Sequence, residues 1–315
     1  MTKNIALALD LGGTNIRLAA IGEDGIVYSR SRSATPKRSS SIEIVDLIVR
    51  LADGCREKVP PGSNIFAIAA AVPATINEQA GILTKLPNLP ALEGVRLRDV
   101  LTERLGIETI LENDANAAAY GENWMGASRG VDDSICITLG TGVGGGLIIN
   151  GKPFRGKDGT AGELGHVCVE PQGVPCGCGG RGCIEQYASA TAIVRMAREA
   201  GMNVSSSFDV YRAAGEGSVE ADQVFRKMGS YLGIGIASLI NVLNPEMVVL
   251  GGGVSAAWDR FIGTVADEIS VRSFREPAAR ARIVRAELGD DAGILGAARS
   301  AFAHENEFAH LAEVV

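Results

Sequence analysis

Apolar residues dominate from Ile5 to Leu9 and polar Asp10 ends the run, so residues 4–10 (NIALALD) read as a buried strand. Gly12 and Gly13 then form a tight turn, residues 15–21 a second strand, and Glu23-Asp24-Gly25 a turn into a third. The pattern returns in mid-chain: 134–139 (SICITL) is a strand, glycines between 140 and 146 form a turn, 147–149 is a second strand, and Asn150-Gly151 turns into the next. Two such units predict a duplicated architecture with one glycine turn per half and a cleft between the halves. Elsewhere the period changes. Ile44, Leu47, Ile48 and Leu51 give 41–58 a helical stripe, 65–72 is a buried strand, and 114–125 is a helix capped by Asn113 or Asp114. Residues 186–200 and 219–243 read as helices, the second carrying Gly233, Gly235 and Ala237 for close packing and ending at Pro245. A strand at 246–250 runs into Gly251-Gly252-Gly253, and 291–303 is a closing helix.

This alternation is α/β, and 315 residues with 46% hydrophobic and 21% charged composition suit two domains. A net charge of −7 with no basic run argues against nucleic acid as a partner. The N-terminal apolar run is too short for a signal peptide core, and no stretch approaches a membrane-spanning length. Three of six cysteines crowd into residues 176–183, which points to metal in a reducing compartment and hence to the cytoplasm.

Gly140-Thr141-Gly142-Val143-Gly144-Gly145 satisfies GxGxxG, but a strand rather than a helix follows, which excludes a dinucleotide fold. Gly146 to Lys152 fits most of a P-loop, yet Pro153 stands where a magnesium-binding hydroxyl is required. What remains is a pair of glycine hairpins whose N–H groups can approach phosphate oxygens, with Thr14 and Thr141 as added donors. Asp10 is then placed to face Mg²⁺. Ordinary hairpin turns would look the same singly; the pair with Asp10 at one tip favours phosphate.

His166, Cys176, Cys178 and Cys183 form a tetrahedral donor set for Zn²⁺, with Gly177, Gly179, Gly180 and Gly182 interleaved. Without a fifth ligand the site reads as structural. Cys55, Cys136 and Cys168 read as buried small apolar residues, and His304 and His310 as solvated. Phosphoryl transfer further needs a carboxylate to accept a hydroxyl proton, and Glu112-Asn113-Asp114 supplies candidates at a strand-to-helix junction. An aspartate there also serves simply as a cap. Glu163 and Glu185 flank the metal ligands and would be locked around one pocket, as suits carboxylates that hold sugar hydroxyls; either alone would read equally as a solvated surface charge.

DLGGTN (Asp10 to Asn15) and LGTGVGGG (Leu139 to Gly146) resemble the phosphate motifs of the actin, hexokinase and heat-shock chaperone superfamily, and VVLGGGV (Val248 to Val254) its adenosine motif. AGELGH, CGCGGRGCIEQ and ENDANAAAYGE narrow the resemblance to the ROK family of sugar kinases and repressors, over nearly the whole chain and closest to bacterial ATP-dependent glucokinases. The resemblance implies a two-domain actin-like ATPase (ribonuclease H-like) fold, with residues 1–112 and 290–315 in a smaller domain and 113–289 in a larger one. It implies Asp114 as general base, Asn113, Glu163, His166 and Glu185 on the sugar, and Asp10, Gly12, Gly13, Thr14, Thr141, Gly142, Gly251, Gly252 and Gly253 on the nucleotide and Mg²⁺. It makes the zinc a shaper of the sugar pocket, and it implies a homodimer or homotetramer.

The implied reaction is phosphorylation of glucose at its 6-hydroxyl by ATP, supported by Gln186-Tyr187-Ala188-Ser189 and by Pro87-Asn88-Leu89-Pro90, which resembles a sugar-side loop. Fructose, mannose, N-acetylglucosamine and N-acetylmannosamine are the alternative sugars. A sugar-responsive repressor of the family is the remote alternative, with only nine residues ahead of Asp10 for a helix-turn-helix. Ala74 departs from the Pro-Gly usual after this strand and would set a methyl group against the sugar.

Overall fold

The computed structural model describes residues 3–77, 80–84, 86 and 89–314, with side chains up to Glu305. In chain order the elements begin with β1 (Asn4–Leu11), β2 (Asn15–Gly22), β3 (Val27–Ala34), α1 (Ser41–Arg56), β4 (Asn64–Val72), β5 (Thr75–Asn77), β6 (Ile82–Thr84), α2 (Leu97–Leu105), β7 (Glu108–Asn113) and α3 (Asp114–Met125). They continue with β8 (Ser134–Leu139), β9 (Val143–Ile149), β10 (Lys152–Pro153), α4 (Glu185–Ala188), α5 (Ala190–Glu199), α6 (Ser207–Gly215) and α7 (Val219–Leu243). β11 (Met247–Gly251), α8 (Trp258–Arg272), α9 (Arg275–Arg280), β12 (Arg282–Arg285) and α10 (Ala292–Val314) complete the chain. No helix among the described residues is long and apolar enough to cross a membrane.

Two compact units result. The first comprises Met1–Gly130, Lys152–Ala161 and Asp290–Val315; the second Val131–Gly151 and Gly162–Gly289. This differs from the division expected at residue 112. Helix α3 packs along α10, so 113–130 stay with the first unit, which becomes the larger.

In the first unit the sheet order is β3-β2-β1-β4-β7, antiparallel from β3 to β1 and parallel from β1 to β7. Successive side chains on a strand point to opposite faces, and β1 uses this fully. Ile5, Leu7, Leu9 and Leu11 join one core with Ile44, Val45 and Ile48 of α1 and Leu97 and Leu101 of α2. The other face of β1 and β4 presents Ala6, Ala8, Ala67, Ala69 and Ala71, all buried, and α10 packs over these two strands. Small residues on that face let the helix come close. Ile294, Ala297, Ala298, Ala301 and Phe302 are the buried side of α10, with the Phe302 ring 5.3 Å from that of Phe66. The α3–α10 crossing is closer still: a Cβ on Gly296 would overlap the Ala117 carbonyl oxygen, and one on Gly121 that of Ala292.

The second unit repeats the scheme in β9-β8-β11-β12, with β8 and β9 antiparallel and β8, β11 and β12 parallel. Its core joins Ile135, Ile137 and Leu139 to α5, α7 and α8. Gly229 and Gly233 set α7 against α8, a Cβ on Gly233 falling 3.0 Å from the Val265 carbonyl oxygen. The expected glycine turn of 140–146 is shorter than its glycine count: β9 begins at Val143, and Gly144, Gly145 and Gly146 pair in register with Thr138, Ile137 and Cys136. Gly145 is a glycine for a packing reason, since a Cβ there would lie 2.6 Å from the Gly162 carbonyl oxygen. The helix expected over 186–200 is broken at Ser189, whose extended backbone and hydroxyl cap α5 through the Ala192 N–H at 3.1 Å.

Candidate functional site

In the first unit, parallel registry sets Asp10 opposite Ala71 and Ala71 opposite Glu112. Two carboxylates thus end strands two spacings apart, about 10 Å at the backbone. Asp10 is buried and accepts from Arg17 Nε at 2.9 Å, its cross-strand partner on β2. Arg17 Nη1 also reaches Asp290 at 3.5 Å. Burial pushes the Asp10 carboxyl above the usual range, Arg17 opposes this, and Asp290 adds to the rise. Gly293, in the first turn of α10, leaves its Cα face open to Asp10: a Cβ there would stand 3.9 Å from the carboxyl carbon. The adjoining turn is closed by Gly12 N–H to Asn15 O at 3.0 Å and held by the Thr35 hydroxyl on Gly12 O at 2.6 Å. Thr14 lies exposed at its tip.

Asn113 caps α3, its side-chain oxygen accepting from the N–H groups of Ala115 and Asn116 at 3.0 and 3.1 Å, and its amide donates to Ala74 O at 3.4 Å. Asp114 is the first helical residue, half-buried, with Oδ1 accepting from Ala115 N–H at 2.8 Å. A helix N-terminus favours such an anion. Sequence reasoning gave Glu112 no separate part, yet it is the anchor of this junction. Its carboxylate is buried and accepts from Arg155 Nε at 3.2 Å and from Arg155 Nη2, from the Ser300 hydroxyl at 3.3 Å, and from the Asn113 N–H at 3.2 Å. Partners 43 and 188 residues away in sequence leave no local signal.

In the second unit the phosphate-type turn is closed by Gly140 N–H to Gly142 O at 2.9 Å and pinned from behind by Ala190 N–H on Gly140 O at 2.7 Å and the Thr191 hydroxyl on Thr141 O at 2.8 Å. Glu185 accepts from the Val143 N–H at 3.0 Å, and a Cβ on Gly142 would collide with the same carboxylate oxygen. Glu185 therefore braces the turn through one carboxylate oxygen. Beside the turn lies a pocket of about 580 Å³ lined by Thr141, Thr191, Arg195, Arg198, Ser206 and Ser207. Gly251 ends β11 opposite Thr138, and Gly252 (φ +82°) packs against the Leu139 backbone, leaving Gly253 open. Both glycine turns thus occupy one end of the β8–β11 pair.

The donor atoms of His166, Cys176, Cys178 and Cys183 lie within 4.8 Å of one another. Cys178 and Cys183 sulfurs are 3.7 Å apart, and Cys176 Sγ is 3.6 Å from His166 Nδ1. Thiolates held tetrahedrally at ~2.3 Å from zinc sit about 3.8 Å apart, so the set fits that ion. The Gly180 N–H draws the Cys178 thiol down, whereas burial and the adjacent sulfurs push Cys183 up to about 12. Of the loop glycines, Gly179 and Gly182 have positive φ, and a Cβ on Gly182 would overlap the Glu170 carbonyl; Gly177 has open space around it. His166 Nε2 points toward Glu163, 3.8 Å from its carboxylate, and Glu163 is exposed.

Three expectations change. The Ala74 methyl is buried in the first unit's core, so it is the Ala74 carbonyl that faces Asn113. Cys168 is exposed, unlike buried Cys55 and Cys136. His304 is half-buried with Nδ1 3.6 Å from Glu108, while the His310 side chain lies outside the described residues, as do Pro87 and Asn88 of the expected sugar-side loop.

The glucokinase of Thermotoga maritima is 36% identical to this chain over 95% of its length and 97% of the relative's. Among solved structures, a ROK hexokinase from Thermus thermophilus matches with a TM-score of 0.86 and 31% identity over 96% of this chain and 99% of that one. A ROK family glucokinase from Streptomyces griseus, in complex with glucose and AMPPNP, matches with a TM-score of 0.76 and 33% identity over 94% and 98%. The profile of the ROK family fits residues 6–304, and with two mixed sheets of matching topology, each ending in a glycine turn, the chain belongs to that family.

Proposed function

We infer that the chain transfers the γ-phosphoryl group of ATP to a hydroxyl of a hexose, with glucose and its 6-hydroxyl as the preferred acceptor. The observation that carries this is Asp114, a carboxylate at the start of α3 with Asn113 beside it, in a chain as similar to glucokinases as this one. Asp114 takes the proton of the attacking hydroxyl as that oxygen bonds to phosphorus, and the bond from phosphorus to the bridging oxygen of ADP breaks. Asn113 orients the sugar through whatever donor capacity its cap leaves. Glu163, the Nε2 face of His166 and Glu185 hold further hydroxyls, Glu185 also bracing the turn through Oε2.

The glycine turns carry the nucleotide. Thr141 and Gly142 present amides that no other group takes among the described residues, which suits phosphate oxygens. The neighbouring pocket with Thr141 at its edge suits the nucleoside, and Gly252 and Gly253 follow β11 at the same end of the β8–β11 pair. Asp10 is the oxygen ligand class that Mg²⁺ takes, and the cation would neutralise phosphate charge when bound. Zinc on His166, Cys176, Cys178 and Cys183 would supply a rigid cross-link, fixing the loop between Glu163 and Glu185.

A coupled ADP-release assay with Mg²⁺-ATP across glucose, fructose, mannose, N-acetylglucosamine and N-acetylmannosamine tests the reading. Glucose should give the highest kcat/KM; no turnover with any of the five removes the kinase assignment. Asp114→Asn should lower kcat by about 10²–10⁴-fold with little change in KM.

A further inference from the structure

Cys168 has no part in the proposed reaction, yet it stands directly across from a cluster sulfur. Cys168 and Cys183 form an isolated antiparallel bridge, flanked by Ile184 N–H to Val167 O at 3.0 Å and Val169 N–H to Gly182 O at 2.8 Å. Because the hydrogen bonds belong to the neighbours on either side, the two cysteines are a non-hydrogen-bonded pair. That is the pair type with the closer backbones, about 4.5 Å between Cα atoms, and both side chains on one face. The spacing lies within the ~4.4–6.8 Å that a disulfide spans. Cys183 is 2% exposed and Cys168 is open to solvent. One thiol is thus reachable by a small oxidant, and the other belongs to the residue paired with it across the bridge.

We propose that Cys168 is an oxidation site, and that a peroxide converts Cys168 and Cys183 to a cross-strand disulfide that dismantles the four-donor cluster. Hydrogen peroxide oxidises the Cys168 thiol to a sulfenic acid with loss of one water. The Cys183 sulfur then attacks that sulfur and forms the S–S bond, and the displaced hydroxyl leaves as a second water with the Cys183 proton or, where Cys183 is a thiolate, with one from solvent. Two thiols lose two electrons in all and one peroxide gains them. Cys183 ceases to be a donor, three ligands remain, and the metal leaves. Glu185, two residues on, loses its anchor and with it the brace on the Val143 N–H. The disulfide depends only on the bridge; metal release rests in addition on the zinc reading above.

The test treats the purified chain with hydrogen peroxide and maps peptides by mass spectrometry without reduction, while a chromogenic chelator reports released metal. The expected result is a Cys168–Cys183 linked peptide, metal release in step with it, and reversal of both by dithiothreitol with added zinc. Cys168→Ser should retain the untreated activity and slow metal release by about tenfold. A linked peptide from protein that carries no metal upholds the disulfide and removes the zinc reading. Disulfides confined to Cys176, Cys178 and Cys183 with Cys168 left free, or equal metal loss from wild type and Cys168→Ser, overturn the proposal.

Discussion

The α3–α10 crossing gives a sharp test of how the first unit is held together, because Gly296→Ala adds one methyl where there is no room. The new Cβ would stand 2.5 Å from the Ala117 carbonyl carbon and 2.8 Å from the Gly121 nitrogen, overlapping the Ala117 oxygen. The obstacle is backbone on both sides, so no rotamer change relieves it. Ordinary contact requires the helices to part by about 2 Å, which opens the packing of Phe302 and Ala298 against the sheet and costs about 3 kcal/mol. For a unit of this size that is about 6–12 °C in Tm. Gly263→Ala is the matched control: it lies exposed inside α8 with nothing within 4 Å of the added Cβ. There the same substitution should stabilise by about 0.4–1 kcal/mol through the unfolded state and better helix propensity. Thermal unfolding by circular dichroism reads both. If Gly296→Ala unfolds within a degree or two of wild type, or if Gly263→Ala falls as far, the close-approach argument is wrong.

Glu112→Gln should lower kcat by about tenfold while leaving KM for ATP unchanged, because the junction carrying Asp114 loses its fixing point; Arg155→Met should do the same. The double variant should be no worse than either alone, and additive losses would show that the pair does not act as a unit. Asp10 carries a pH dependence. Its folded carboxyl is raised, so its stabilising contribution is complete below the unfolded carboxyl range and is lost as pH rises through the folded value. The decline of Tm with rising pH above about 4 should therefore be shallower in Asp10→Asn than in wild type; an unchanged slope would contradict it. Cys178→Ala should purify with less than one equivalent of zinc by elemental analysis and show a raised KM for the sugar, and full metal content would remove Cys178 from the donor set.

Short-range chemistry was the legible part of this chain. Asn113 and Asp114 marked the start of α3, Asn150-Gly151 turned with both residues at positive φ, and the spacing of His166, Cys176, Cys178 and Cys183 named a cluster that the fold assembles. What the pattern could not carry was any glycine or charge whose reason lies far along the chain. Gly144 to Gly146 look like a loop but are strand, and at Gly145 the reason is that Leu164 and Gly162 pack where a side chain would be. Glu112 looks like a mere neighbour of Asp114 but answers to Arg155 and Ser300. The division between units moved for the same reason: the α3–α10 contact joins segments that hydropathy reads separately. Ala74 shows the opposite error, an apparent intrusion on the sugar that proves to be core.

The chain leaves the first unit after Gly130, returns for Lys152–Ala161, leaves again, and returns once more at Asp290. A nascent chain emerging in order would therefore display β1 and β4 with one face of alanines bare until α10 appears, by which time the whole second unit has been made. During synthesis the second unit has all its parts first, and the earlier-made half waits on the later one. Ribosome-bound intermediates halted before Asp290 should accordingly hold a protease-resistant second unit beside a first unit that is still open to cleavage.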